Sequence, residues 1–282
     1  MRVSLLQMNS VSDREANLRQ ALDLMTRAVQ EDDPDLIVLP EHFDWSGGTV
    51  DQKIAAADRV PGGAAYTLVQ EFARAHAVHV HAGSLLETIA DDARQIYNTT
   101  VVFDPSGSEV GCYRKIHLFD VTTNDGREYR ESASVRAGAD LLVYDLGEFR
   151  VGCAICYDLR FSRLFDRLAQ QGMNLLILPA AFKLQTGKDH WEVLCRARAI
   201  EFQSFVLACG QWGPYTGARG ETHYNYGNSL VCDPWGMVIA RASEGVGWVS
   251  ATLRKQAVTA ARSSIPMSEH RRVLRNVGAT AS

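Results

Sequence analysis

Residues 150–179 have the sequence RVGCAICYDLRFSRLFDRLAQQGMNLLILP, in which two apolar runs flank an amphipathic stretch. The runs predict strands at 150–155 and 174–178, and the stretch between them predicts a helix at 159–171 that ends at Gly172. The second run, NLLILP, is continuously apolar, which indicates a strand buried on both faces of its sheet. This part of the chain therefore predicts an α/β fold.

Related patterns extend toward both ends of the chain. Val3 to Met8 predicts a strand, and it is followed by a helix that Ser12 caps and by a strand at Leu36 to Leu39. A helix at 64–76 and a strand at 78–82 complete an opening β-α-β-α-β segment. Later in the chain we predict a helix at 189–203 and strands at 205–209, 229–232, 237–241 and 247–252.

The middle of the chain predicts antiparallel pairing. Tyr97 to Phe103 and Glu109 to Arg114 flank Asp-Pro-Ser-Gly-Ser, a turn sequence suited to a β-hairpin, and a strand near 141–145 follows. Hairpins beside continuously buried strands favour an α/β fold with four layers, in which two sheets pack against each other between outer helices. This arrangement is an α-β-β-α sandwich. A single doubly wound sheet is the alternative that this pattern leaves open. Since no linker-like stretch interrupts the chain, residues 1–282 are predicted to form a single domain.

The composition excludes several functional classes. The chain has 282 residues and a net charge of −4 without a basic stripe, so no nucleic-acid partner is expected. The N-terminal MRVSLLQMNS lacks the apolar stretch of a signal peptide, and no run reaches the ~20 apolar residues of a membrane span. We therefore expect a soluble, cytoplasmic protein without a membrane partner. Its six cysteines lie mostly in apolar runs, which disfavours a disulfide framework.

Three reactive side chains directly follow predicted strands: Glu41, Lys115 and Cys156. Because strand ends in α/β folds meet at one edge of a sheet, side chains that are distant in sequence can converge there. Cys156 also opens a predicted helix, where backbone N–H groups and the helix dipole favour a thiolate. Each residue also has a structural explanation: a buried cysteine after an apolar strand, a capping or surface glutamate, and a solvated lysine in a turn.

The short sequence motifs around these three residues indicate a function more specifically than the single residues do. Leu-Pro-Glu at 39–41, Tyr-Arg-Lys-Ile-His at 113–117 and Cys-Tyr-Asp-Leu-Arg-Phe at 156–161 follow one another in the order and spacing of three catalytic boxes. In these boxes the chain resembles the nitrilase, or carbon-nitrogen hydrolase, superfamily. Further matching segments are Glu131-Ser132, Pro179-Ala-Ala-Phe182, His190-Trp191 and Asp233-Pro-Trp-Gly236. The resemblance extends over nearly the whole chain.

The resemblance implies an amide hydrolase without a metal or other cofactor. Cys156 would attack the amide carbon after Glu41 takes its proton, and Lys115 and the backbone N–H of Tyr157 would stabilise the oxyanion. Ammonia would leave, and a water activated by Glu41 would hydrolyse the thioester. Glu131 matches the second glutamate of the family and would orient Lys115. Glu128, three residues earlier, is the alternative for that role.

The nucleophile box is similar to the branch of deaminated-glutathione amidases and omega-amidases, whose small amide substrates also carry a carboxylate. Arg160 lies four residues after the nucleophile, so its guanidinium can enter the same pocket and pair with that carboxylate. A structural pair with Asp158 is the alternative. Phe182 and Thr186 are candidates for an apolar wall and a hydroxyl of this pocket, with core packing and a helix cap as their alternatives.

Other functions stay open at this point. Another amidase or an N-carbamoyl hydrolase of the superfamily would use the same triad, and a non-catalytic binding protein would keep only the fold. A cysteine–histidine hydrolase would use His42, His117 or His190 as its base. Cys153 and Cys156 form a C-x-x-C that suits a redox pair or half of a zinc site, although the second half of a zinc site is missing.

Some segments depart from the family pattern. Asn228 stands where the branch usually has a histidine, and a long loop is predicted from Gly213 to His223. These segments and His42-Phe-Asp-Trp45 are predicted to border the pocket, so the sequence does not identify the substrate.

The resemblance also implies pairing of subunits, because the family associates through helices near the nucleophile helix. We predict a homodimer or a larger even-numbered homo-oligomer. Candidate interface residues on helix 159–171 are Leu164, Phe165 and Leu168, with packing on the sheet of the same subunit as their alternative.

Overall fold

A computed structural model describes residues 1–123, 126 and 128–272. The first eight strands are β1 (Arg2–Gln7), β2 (Leu36–Val38), β3 (His79–His81), β4 (Leu85–Ile89), β5 (Asp92–Phe103), β6 (Glu109–Arg114), β7 (Asp120–Thr122) and β8 (Glu128–Arg130). The others are β9 (Val143–Leu146), β10 (Phe149–Cys153), β11 (Leu175–Ala180), β12 (Phe205–Gly210), β13 (Trp212–Thr216), β14 (Thr222–Tyr226), β15 (Leu230–Cys232), β16 (Val238–Arg241) and β17 (Gly247–Thr252). The helices are α1 (Arg14–Asp32), α2 (Val50–Ala55), α3 (Ala64–His76), α4 (Ser162–Gln170), α5 (Leu184–Phe202), α6 (Lys255–Ser264) and α7 (Met267–His270).

The strands form two large sheets rather than one. The first has the order β17-β1-β2-β3-β5-β4, with β6 paired to β5, and the second has the order β16-β15-β12-β11-β10-β9. In each sheet three neighbouring strands are parallel, β1-β2-β3 and β10-β11-β12, and antiparallel strands flank them. The predicted α-β-β-α sandwich is therefore confirmed, and the single doubly wound sheet is wrong.

Alternation along the central strands explains the layers. Leu5 and Val38 face the core between the two sheets, whereas their neighbours Leu6 and Ile37 face α1 and α3 on the outer side of the first sheet. Successive side chains of a strand point to opposite faces, so a strand that is apolar at every position buries both faces. The inter-sheet core continues into the apolar strands β11 and β12, which explains why Leu175 to Pro179 include no polar position.

Helices α4 and α5 cover the outer side of the second sheet. Leu164, Phe165 and Leu168 of α4 lie in the core and are at most 5% exposed. Burial of such a side chain contributes about 1.5–3 kcal/mol to folding. The prediction that these three residues form a subunit interface is therefore wrong, and their alternative role, packing on the sheet of their own subunit, is confirmed.

Several local predictions differ from the structure. Asp13, not Ser12, caps α1, because its side chain accepts the Ala16 N–H. The predicted helix at 159–171 is divided into a 3₁₀ turn at Cys156–Arg160 and α4. Most of the predicted loop from Gly213 to His223 belongs to the hairpin β13-β14. The short pair β7-β8 was not predicted.

All six cysteines carry free thiols, including both members of the C-x-x-C. Within the described ranges, none of the helices combines the length and the apolar character that crossing a bilayer demands.

Candidate active site

A cavity of about 510 Å³ lies where strand ends of the two sheets meet. The chain enters it after β2 and β6 of the first sheet and after β10 of the second, at Glu41, Lys115 and Cys156. All eight residues that the sequence predicts for the site line this cavity: Glu41, Lys115, Glu131, Cys156, Tyr157, Arg160, Phe182 and Thr186. The convergence needs both sheets, because neither sheet alone carries the cysteine and the two charged residues.

Lys115 lies between two carboxylates at the buried end of the cavity. Its Nζ donates to Glu41 Oε1 at 2.9 Å and to Glu131 Oε2 at 2.9 Å. Glu41 and Lys115 are each only 2% exposed. Glu41 Oε2 accepts the Ala181 N–H at 2.8 Å, so both of its oxygens are held. Glu128, by contrast, is exposed and pairs with Arg130 at 3.4 Å.

The charge distribution of this corner leaves the cysteine as a neutral thiol. Burial would raise the pKa of Glu41, but the charge of Lys115 and its hydrogen bond outweigh it and hold the pKa below its usual value. Burial and the nearby Glu41 carboxylate raise the pKa of Cys156 well above its ordinary range, although Lys115 opposes them. The resting state is therefore a neutral thiol beside a carboxylate that can accept its proton.

Cys156 occupies a strained backbone position. Its φ of 48° lies in the left-handed region, which non-glycine residues seldom adopt. Such a conformation costs on the order of 1–3 kcal/mol and needs support from its surroundings. The turn carries the thiol away from β10 and into the cavity, directly before the first N–H groups of the 3₁₀ turn.

Asp158 provides this support. Its side chain is completely buried and joins the nucleophile turn to the segment around Lys115. Four groups donate to its carboxylate: Ile155 N at 2.9 Å, Tyr113 Oη at 2.7 Å, His117 N at 2.9 Å and His117 Nδ1 at 2.7 Å. These partners include none from Arg160, so the alternative in which Asp158 pairs with Arg160 is wrong. Asp158 instead fixes the distance between the segment at 113–117, which carries Lys115, and the segment at 156–161, which carries Cys156.

Asn98 is a site residue that the sequence reasoning missed. It lies on β5, and its Nδ2 donates to Glu41 Oε1 at 2.9 Å and to Glu131 Oε1 at 3.3 Å. Its Oδ1 is buried without a hydrogen-bond partner. Asparagine has low β-propensity, so its place between Tyr97 and Thr99 within a predicted strand was the available signal.

The predicted substrate-binding residues occupy one side of the cavity. The Arg160 Cζ lies 5.2 Å from the centroid of the Phe182 ring, and its Nη1 is 3.2 Å from His190 Nδ1. Phe182 is 6% exposed and also packs on Trp191, so it is both a wall and part of the core. Thr186 lies inside the first turn of α5, and Lys183 occupies the N-cap position. The helix-cap alternative for Thr186 is therefore wrong.

The histidines proposed as alternative bases lie at different places. His117 is held by Asp158 and stacks on Phe161, and neither His117 nor His190 lines the cavity. His42 does line it, with Nε2 at 3.8 Å from Glu41 Oε1. Burial lowers the pKa of His42 to about 4, against the opposing charge of Glu41. His42 is therefore neutral at physiological pH.

Within the described part of the chain, Glu41, His42 and Glu131 are the one group of side chains spaced to hold a metal ion, with ligand atoms within 4.8 Å of one another. The ammonium of Lys115 is bonded to both of these carboxylates. A cation in the same place would therefore have to displace Lys115 and would face its charge.

Only some of the segments that depart from the family pattern contribute side chains to the cavity. His42, Trp45 and His223 line the cavity. Asn228 does not, because its Oδ1 accepts from Arg241 at 2.8 and 3.0 Å, so the prediction that it borders the pocket is wrong. Hairpin β13-β14 contributes Tyr215 and His223 instead.

Comparisons with known proteins agree with this geometry. The profile of the carbon-nitrogen hydrolase family matches residues 2–263. The deaminated glutathione amidase of Synechocystis sp. is 37% identical over 94% of this chain and 96% of its own length. The omega-amidase NIT2 of Mus musculus is 34% identical over 96% of this chain and 95% of its own length. Among solved structures, Saccharomyces cerevisiae Nit3, a member of branch 10 of the nitrilase superfamily, superposes with a TM-score of 0.84 at 29% identity, covering 97% of both chains.

Proposed function

The chain belongs to the carbon-nitrogen hydrolase family and is an enzyme that acts on amides, and from that premise we propose that it cleaves the terminal amide of a small carboxylate-bearing substrate through a thioester on Cys156. One observation carries this proposal: the Lys115 ammonium bridges the carboxylates of Glu41 and Glu131 in a buried corner of the cavity that the Cys156 thiol also lines. A nucleophile, a base and a cation for the oxyanion are the parts that acyl transfer needs.

In the first half of the reaction, Glu41 takes the proton of the Cys156 thiol while the sulfur attacks the amide carbon. The carbonyl oxygen gains negative charge, which Lys115 Nζ and the Tyr157 backbone N–H stabilise. Tyr157 is suited to this role because the first N–H groups of a helical turn lack partners within the turn. Protonated Glu41 then passes its proton to the departing nitrogen, so ammonia and a thioester form.

In the second half, water takes the place of ammonia. Glu41 removes a proton from the water, the resulting hydroxide attacks the thioester carbon, and collapse of the intermediate releases the acid and the thiolate. Glu41 returns the proton to sulfur. Glu131 keeps Lys115 charged and in position throughout, because Lys115 retains this partner when Glu41 is protonated.

Arg160 supports the choice of a carboxylate-bearing substrate. Its guanidinium faces the cavity, stacks on Phe182 and makes no ion pair with a carboxylate of the described residues. A planar guanidinium on an aromatic wall is suited to bind a carboxylate through two parallel hydrogen bonds. We assign Phe182 to the wall and the Thr186 hydroxyl to a further polar contact.

Ammonia release before and after alkylation tests this function. We expect release from succinamate or glutaramate and its loss once iodoacetamide has modified Cys156. Cys112 is partly exposed, so iodoacetamide can modify it as well. A Cys112→Ala variant controls for its modification. Ammonia release that survives complete modification of Cys156 would refute the nucleophile, and preference for an N-carbamoyl amino acid would favour a carbamoyl hydrolase instead.

The Arg160→Lys variant tests the substrate class. An ammonium keeps the charge but not the planar pair of donors, so kcat/KM for succinamate should fall about ten- to a hundredfold. The neutral butyramide, which has the same chain length, should be affected much less. Arg163→Lys, an exposed change on α4, is the matched control. Equal losses for the acidic and the neutral amide would show that Arg160 does not bind the carboxylate.

We also propose that one domain of this type assembles into a homodimer in the cytoplasm. An apolar surface on α5 and the β15-β16 turn supports the assembly, since its members are 48% or more exposed: Val193, Ile200, Trp235 and Met237. Gly236 packs directly against Ile200, so the turn and the helix form one surface. Light scattering should give a dimer that Trp235→Glu dissociates and that Leu22→Glu, at an exposed leucine of α1, leaves intact. A mass of 31.1 kDa for the unmodified protein would contradict the proposal.

A further inference from the structure

Lys183 is a cavity residue that the proposed reaction does not use. It follows Phe182 directly and occupies the N-cap position of α5. Its Nζ donates to the hydroxyl of Tyr215 and, at 3.4 Å, to Asn225 Oδ1. The same Nζ lies 4.4 Å from the centroid of the Tyr215 ring and 5.6 Å from that of Tyr129.

The side chains around Lys183 stabilise its positive charge but do not neutralise it. Tyr215, Asn225 and Tyr129 are all uncharged, and no carboxylate of the described residues lies within ion-pair distance of Nζ. Burial acts to lower the pKa of Lys183, but the contacts with Tyr215 and Tyr129 outweigh it and raise the pKa, so the side chain is charged at neutral pH. A half-buried cation without a counter-charge is costly unless a ligand supplies one.

Two of the other cations around the cavity already have carboxylate partners. Lys115 is shared by Glu41 and Glu131, and Arg130 pairs with Glu128. Lys53, Arg160, Lys183 and Arg219 are the cations of the described lining without an ion pair. Arg219 is exposed, and the charges of Glu131 and Glu41 act on Lys53. Arg160 and Lys183 instead lie against aromatic rings, those of Phe182 and Tyr215. They lie on opposite sides of one segment, because Phe182, on which Arg160 stacks, and Lys183 are consecutive residues of an extended stretch.

We propose that Lys183 binds a second acidic group of the substrate, so that the preferred amide is a dianion held by Arg160 at one carboxylate and by Lys183 at the other. The inference rests on the proposed function and specifies its substrate class. Tyr215 completes the subsite: its oxygen accepts from Lys183, which leaves its O–H free to donate. An ammonium N–H and a phenol O–H together present two donors to the two oxygens of a carboxylate.

Binding of simple acids to the intact protein tests the subsite without depending on hydrolysis. Calorimetry would compare each dicarboxylate from malonate to pimelate with the monocarboxylate of equal carbon number. The dicarboxylate whose length fits both anchors should bind about ten- to a hundredfold more tightly than its partner, as expected for one charge-assisted hydrogen-bonded contact. Lys183→Met should remove this preference. Lys188→Met, at an exposed lysine on the same helix, should keep it.

The inference fails if no dicarboxylate is preferred by the unmodified protein, or if a folded Lys183→Met variant retains the preference. Should Lys183→Met not fold, Tyr215→Phe decides, because it removes only the hydroxyl: a weakened preference supports the subsite and an unchanged one refutes it. Ammonia release separates the two proposals. Hydrolysis of succinamate without dicarboxylate preference refutes the subsite alone, whereas dicarboxylate preference without hydrolysis of any amide refutes the proposed function.

Discussion

Glu41→Gln is expected to lower kcat/KM for succinamate by about a hundred- to ten-thousandfold, the usual contribution of a positioned general base. The amide of glutamine still accepts hydrogen bonds from Lys115 and Asn98 through its oxygen, so the buried corner keeps much of its structure. It cannot accept the thiol proton, however, and burial, the largest cause of the raised pKa of Cys156, remains in the variant. Without this base the sulfur stays protonated and unreactive.

Two comparisons make the result specific to Glu41. Glu15→Gln changes an exposed glutamate of α1 and should leave kcat/KM unaltered. His42→Ala tests the cysteine–histidine alternative, since His42 lies 3.8 Å from Glu41 and lines the cavity. If Glu41→Gln keeps full activity while His42→Ala or His190→Ala loses it, the base is a histidine. Initial rates of ammonia release from the purified variants, with melting temperatures to verify folding, are the measurement.

The fold could be predicted where the hydrophobic pattern reports burial directly. The predicted helix at 64–76 has the bounds of α3, and the apolar runs gave most strands of both sheets within one to three residues. The hairpin β13-β14 was not predicted because its buried positions alternate with exposed ones but include the polar His223 and Asn225, so the hydrophobic pattern does not record the alternation. The interface prediction for α4 failed for the opposite reason: an apolar helix face looks the same whether it packs on its own sheet or on another subunit.

At the site, the sequence indicated which side chains take part but not which residues they hydrogen-bond to. Asn98 and Asp158 act through hydrogen bonds across 57 and 41 residues of sequence, to Glu41 and His117. Lys183 was missed because a lysine after a strand usually lies in solvent, and only the hairpin that carries Tyr215 buries it. Such contacts depend on the packing of two sheets, and no local pattern records that packing.

Lys115→Met is expected to cost both activity and stability. Loss of one oxyanion donor lowers kcat by about a hundred- to a thousandfold. Removing one partner of a buried charge pair also destabilises a protein by about 3–5 kcal/mol, because the remaining charges stay buried without compensation. Here two carboxylates, Glu41 and Glu131, would be left together. Lys188→Met, which removes an exposed lysine paired only with its neighbour Asp189, is the matched control and should change neither property.

The stability loss of Lys115→Met should depend on pH in a direction that the carboxylates determine. In the unmodified protein Lys115 holds the pKa of Glu41 and Glu131 below 4.5 despite burial, so their stabilising effect is present at neutral pH and is lost in acid. Without Lys115, burial and mutual repulsion raise both pKa values above 4.5, and the variant becomes less stable as pH rises through them. The difference in unfolding free energy should therefore shrink as pH falls from about 7 to about 5 in urea titrations. A difference that stays constant over this range would mean that Lys115 does not compensate the two carboxylates.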